Sequence, residues 1–114
     1  MKHTRETCLY DILQNIVEIE DFTRSCSTLE QFRGNILVKK AVERNITIIG
    51  EAIKRLVALD PNIAVSNTRQ ILAMRNIIVH EYEKIDDEVL YVAVTKHLLV
   101  LKQEVSVLLA ESAV

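Results

Sequence analysis

The sequence predicts an all-α protein, an up-and-down bundle of four long helices plus one short helical turn. Three observations support this. Nearly half of the 114 residues are apolar, 49%, yet Gly and Pro number only two and one, too few for the many turns of an all-β fold. The apolar residues recur at spacings of three and four, the helical period. The length suits one core, so residues 1–114 read as a single domain.

The first helix is expected from Thr4 to about Thr23, where Leu9, Ile12, Ile16 and Ile19 form a stripe that Leu13 and Val17 widen. "SCST" interrupts it. Thr28 with Gln31 has capping-box spacing and opens a short helical turn ending near Gly34. A second long helix runs from about Ile36 to Leu59, with Val42, Ile46, Ile49, Ile53 and Leu56 in period and Lys40, Arg44, Glu51 and Arg55 on another face. Pro61 stops it and disfavours helix at Asp60. Asn67 with Gln70 again has capping-box spacing, which starts a third long helix that loses its pattern near Tyr82. Asp86, Asp87 and Glu88 set negative charge at the start of a last helix reaching about Glu111. Within it, "VLYVAV" (89–94) and "LLVL" (98–101) leave few polar directions. Such a helix lies at the centre of a bundle or against another subunit, and a homodimer or higher homo-oligomer is the expectation.

A formal charge of −2 gives no global electrostatic case for nucleic acid, although a local basic surface suffices for a brief encounter with RNA. Cys8 and Cys26 are too few and too far apart for a zinc site and read as reduced thiols. No apolar run reaches the ~18 residues that span a bilayer, and "MKHTRETCLYDILQ" lacks a signal-peptide core. The expectation is a cytoplasmic protein with no membrane contact. "HEYEK" begins like the zinc-protease H-E-x-x-H, but Lys84 stands at the second ligand position. His3 and His97 have no ligand-like companions. No Gly-rich phosphate loop, Ser-His-Asp or Cys-His arrangement is present, so neither a metal nor a cofactor is expected.

"MRNIIVHEYEKID", residues 74–86, carries the chemistry. At about 100° per residue, with Asn76 at zero, Arg69, Ala73 and His80 fall in one narrow stripe while Ile71, Met74 and Ile78 lie opposite. Arg75 falls between apolar neighbours, with Tyr82 beside it. Guanidinium does not shed its charge on burial, so Arg75 needs an anion: Glu51, a ligand phosphate, or both. A structural salt bridge, or a packed stem with a wet head, explains it equally. His80 is either a helix-terminal cation that complements the dipole or a group that exchanges protons near neutral pH. Tyr82 is either a cap on the core edge or a functional phenol. Arg75 and His80 stand about 140° apart on a straight helix. They converge only if the helix distorts or a two-fold axis brings a second copy alongside, and the two-fold axis also accounts for the excess apolar surface.

"RNIIVHEY" (75–82) resembles the R-x4-6-H signature of HEPN domains, in the R-x4-H-x-Y form typical of HepT toxins. "ERNITIIGEAIKRL" (43–56) is similar to the family's second-helix segment and "YDILQNIVEIEDFT" (10–23) to its first. The resemblance implies an HEPN-like dimerising helical bundle acting as a metal-independent endoribonuclease. It also implies a partner, an MntA-type minimal nucleotidyltransferase antitoxin that silences the toxin by transferring AMP to the motif tyrosine. Carried over by position, Arg75 and His80 become the catalytic pair and Asn76 the polar residue beside the arginine. Tyr82 becomes the AMP acceptor, placing a phosphodiester near Arg75 in competition with RNA. Arg44 and Glu51 share a stripe and are candidates to line the same cleft, Glu51 pairing with Arg75. The alternative from another class is a non-catalytic helical module that binds and regulates a nucleotidyltransferase; an intact Arg75/His80 pair is what such a module does not need.

Overall fold

A computed structural model describes residues 4–112; His3, named above as lacking companions, lies outside them. Six α-helices follow in order: α1 (Arg5–Thr23), α2 (Leu29–Arg33), α3 (Ile36–Leu59), α4 (Thr68–His80), α5 (Asp87–Val92) and α6 (Leu98–Ser112). A 3₁₀ turn, Tyr82–Lys84, follows α4, and a π turn, Ala93–His97, joins α5 to α6 into one bent C-terminal helix.

Polar ties fix the helix directions. At one pole Arg5 reaches Asp60 (Nε to Oδ2, 3.2 Å) and Ser112 (Nη1 to Oγ, 3.0 Å), which joins the start of α1 to the ends of α3 and α6. At the other pole Lys39 Nζ lies 3.2 Å from Asp87 Oδ2, joining the starts of α3 and α5. The bundle is therefore up-and-down, as expected. Each long element packs on the next in a ring: α1 on α3, α3 on α4, α4 on the π turn, and α6 back on α1.

The residues predicted for the core form it. Leu9, Ile12, Ile16 and Ile19 of α1 and Val42, Ile46, Ile49, Ile53 and Leu56 of α3 are buried together. Val17, expected to widen the first stripe, is exposed, and Leu13 and Ile78 are only partly buried. Phe32 anchors α2 inside this core, its ring 5.4 Å from that of Tyr91. Asn45 is buried but satisfied, donating to the Asn15 carbonyl at 3.3 Å and to Glu18 Oε1 at 2.9 Å. Cys8 and Cys26 are buried free thiols, and burial pushes the Cys8 thiol above its ordinary range.

The helix starts follow capping chemistry with two differences. Thr4 and Thr7 form a reciprocal box at the head of α1, and Asn35 Oδ1 accepts from Val38 N at 3.0 Å at the head of α3. Thr28 caps α2 through Gln31 N at 3.1 Å, but the Gln31 side chain accepts from Ser27, one residue earlier than a capping box requires. Asn67 makes no side-chain cap: its φ of 61° is left-handed, whereas a capping side chain works from extended backbone. Asparagine tolerates that conformation, and the preceding Ser66 is held by Glu104 of α6 through N and Oγ at 2.8 and 2.7 Å.

The last helix differs from the unbroken one predicted. Its buried residues are Leu90, Ala93, Leu98, Leu101 and Val105. The step from Ala93 to Leu98 is five residues, the span of the π-type hydrogen bond that Leu98 N donates to the Ala93 carbonyl, so the inward stripe changes phase there. Val89, Leu99, Val100 and Val107 remain exposed on other azimuths. Among the described residues no helix is long and apolar enough to cross a membrane.

Candidate active site

Arg75 is placed by the closeness of α3 and α4. Gly50 of α3 is buried against it: a Cβ built on Gly50 would lie 2.7 Å from Arg75 Cβ and 2.8 Å from Cγ. The arginine stem thus lies in a slot that only a residue without a side chain leaves open. Its guanidinium emerges at the helix seam. Nη1 donates to Asn76 Oδ1 at 3.0 Å, and Nη2 reaches Glu51 Oε1 at 3.4 Å. Nε is buried without a hydrogen-bond partner among the described residues. The expected Glu51–Arg75 pair is present, but it is long and Glu51 is half-exposed, so its contribution to stability is small.

Around this group lies a hollow of about 180 Å³ lined by Gly50, Lys54, Leu72, Arg75 and Asn76. Arg44 does not belong to it. Seven residues from Glu51, it stands about 10 Å further along the α3 axis, exposed and in no ion pair with the described residues. Lys54 and Gly50 were not foreseen as site residues; four positions apart, they share the α3 face turned toward α4.

His80 is the final residue of α4, exposed, and does not line the hollow of Arg75. The helix ends just after it, Glu81 N donating to the Ile77 carbonyl at 2.9 Å. Among the described residues no hydrogen bond joins the two motif side chains; those of Arg75 go to Asn76 and Glu51.

Tyr82 departs from the position that a continued helix would give it. It opens the 3₁₀ turn, half-exposed, with Lys40 Nζ 4.2 Å from its ring centroid. It lines a separate hollow of about 250 Å³ with Ile36, Lys39, Lys40, Glu43, Ile85 and Asp87. The cation beside Tyr82 is therefore Lys40, not Arg75. Glu43, on the wall of that hollow, is buried, and burial raises its carboxyl above the ordinary value; Lys40, 3.7 Å away, offsets this only in part.

A third, mostly apolar hollow of about 420 Å³ runs between α4 and the C-terminal helix, where His97 at the end of the π turn meets Gln70, Met74, Ile77, Asp86 and Val92. No three His, Cys, Asp or Glu side chains group as metal ligands among the described residues.

A family model described as "Ribonuclease HepT-like" matches residues 12–108. Several proteins of Methanocaldococcus jannaschii are similar to the chain, two of them as follows. "Putative RNase MJ1380" is 32% identical over 104 residues, covering 87% of this chain and 91% of that protein. "Putative RNase MJ0127" is 33% identical over 88 residues, covering 73% and 69%. No solved structure matches.

Proposed function

The chain belongs to the HepT-like ribonuclease family, and from that premise we propose that it is a metal-independent endoribonuclease toxin in which Arg75 and His80 act on one RNA phosphodiester. The observation that carries this reading is the state of the guanidinium. It is fixed by a slot in α3 and oriented by Asn76, yet tied to its carboxylate at only 3.4 Å. A phosphate, offering two oxygens to a planar fork, displaces so long a contact readily.

Without a metal, the nucleophile is the substrate's own 2′-hydroxyl, attacking the adjacent phosphorus while the 5′-oxygen leaves. Arg75 neutralises charge developing on the phosphate oxygens. His80 moves a proton, as base at the 2′-hydroxyl or acid at the leaving oxygen. Because His80 does not line the hollow of Arg75, a cleft shared between two copies supplies both, the arginine from one copy and the histidine from the other. An MntA-type nucleotidyltransferase silences the toxin by placing AMP on Tyr82. On this chain the group enters beside Lys40, two residues beyond His80, and obstructs the cleft from there.

Expression without the partner tests the reading. Wild type is expected to arrest growth and fragment cellular RNA, and His80→Ala to do neither. Intact RNA with unimpaired growth in both would overturn it, and the non-catalytic module would then stand.

A further inference from the structure

We infer that Lys54 is a second phosphate-binding cation, in a subsite of the RNA backbone whose floor must be glycine at position 50. The inference rests on the reading of Arg75 as the group that binds the scissile phosphate, and deepens it by naming what surrounds that phosphate.

Three observations converge. The hollow at the α3–α4 seam is lined by two cations, Lys54 and Arg75, and by the Asn76 amide, with Gly50 at its base. The Glu51 carboxylate stands beside it and approaches Arg75 only at 3.4 Å. Lys54 is exposed and forms no ion pair with the described residues, so none of their carboxylates holds it. A cation left free next to a loosely held guanidinium suits a ligand carrying more than one anionic oxygen, and adjacent phosphodiesters of an RNA strand supply them.

Gly50 sets the depth of the subsite. A methyl there would overlap the first two side-chain carbons of Arg75 at 2.7 and 2.8 Å, pushing the stem outward and carrying the guanidinium away from Asn76 and Lys54. The contact at fault is the root of the side chain rather than its flexible end, so the arginine cannot evade it by a rotation further out. Gly50 is therefore a positioning residue: it brings no side-chain group of its own, and acts through where it lets Arg75 lie.

The division of roles separates the variants kinetically. Lys54 binds a phosphate that does not react, so its removal weakens ground state and transition state alike. Displacing Arg75 removes stabilisation at the reacting phosphate and appears in kcat.

Purified wild type, Arg75→Ala, Lys54→Gln, Lys54→Arg and Gly50→Ala would be compared for cleavage of total cellular RNA. The same proteins would be titrated with a fluorescently labelled mixed-sequence RNA oligonucleotide at a series of KCl concentrations. Lys54→Gln is expected to raise KM severalfold more than it lowers kcat, and to reduce the salt slope of binding by about 0.7, one single-strand phosphate contact. Lys54→Arg should restore both. Gly50→Ala, with a cooperative melt showing that it folds, is expected to lose kcat more than tenfold. Lys54→Gln with wild-type KM and salt slope overturns the inference, as does a folded Gly50→Ala with wild-type kcat; an unfolded Gly50→Ala leaves the two Lys54 variants to decide. Arg75→Ala cleaving like wild type would instead overturn the reading on which the inference rests.

Discussion

Lys40 Nζ lies 4.2 Å from the centroid of the Tyr82 ring, so the phenol next to the signature lies under a cation of α3 while about half of the residue stays exposed. Tyr82→Phe keeps the ring, and with it the contact with Lys40. We expect this variant to cleave RNA like wild type but to escape silencing by the nucleotidyltransferase. The check is growth on co-expression, with intact-protein mass spectrometry for the absent nucleotidyl group; normal silencing of the variant would refute the role of Tyr82.

Mixed oligomers test the shared cleft. Arg75→Ala and His80→Ala subunits, each inactive alone, should regain part of the activity when refolded together, because one junction then holds an intact arginine from one copy and an intact histidine from the other. Loss of either group alone should cost at least about 10²-fold in rate. No recovery on mixing would place both residues in one chain's cleft.

Chelation separates this chemistry from Lewis-acid catalysis. Cleavage by protein dialysed against EDTA should proceed at the rate of the untreated protein, measured on the same RNA. A loss restored by adding back a divalent cation would count decisively against a 2′-hydroxyl mechanism run by side chains alone.

Glu43 makes stability depend on pH in a predictable direction. Burial raises its carboxyl in the folded chain above the ordinary value of 4.5. The folded state therefore binds this proton more tightly than the unfolded one, and the contribution is fully present below 4.5 and lost as pH rises through the raised value. Glu43→Gln should accordingly gain stability relative to wild type across that window and hold the gain at neutral pH. Urea midpoints of the pair, compared at several pH values, would show a difference growing with pH; a constant difference would be the contrary result.

Phe32 fixes the short α2 to the bundle, buried and packed at a 45° tilt against Tyr91. Phe32→Ala should cost about 3–5 kcal/mol, read as a fall in the urea midpoint without a change in helix content of the folded form.

Much of this molecule was legible in its sequence, and the reason is local. Both long helices α1 and α3 were readable because each carries an uninterrupted apolar stripe and because Pro61 ends the second, whereas the Asn35 cap that opens it was not foreseen. That Arg75 needs an anion followed from its charge and its apolar flank, with Glu51, a phosphate or both as candidates, and Glu51 stands beside it at 3.4 Å. What escaped detection depends on how elements meet. Gly50 reads as a tolerated glycine in a helix until α4 is laid against it, when the missing Cβ becomes the space for Arg75. Lys54 looked like an ordinary surface lysine for the same reason. Tyr82 was assigned to the neighbourhood of Arg75 by extending the α4 wheel, but a 3₁₀ turn intervenes and turns the ring toward Lys40. The last helix read as apolar on nearly all sides because two inward stripes of different phase are joined at Ala93–His97. The Asn67–Gln70 spacing suggested a cap that left-handed backbone does not permit.

The contact of Arg5 with Ser112 brings the outer ends of the first and last helices within hydrogen-bonding reach, at the pole away from Lys40 and Tyr82. A few flexible residues would suffice to weld these ends covalently, and the chain could then be cut open between Asp60 and Ser66 without severing any helix. Such a permutant would present its new termini beside α6 and leave the signature helix untouched. Reporters fused there would ride on the far side of the bundle from the tyrosine.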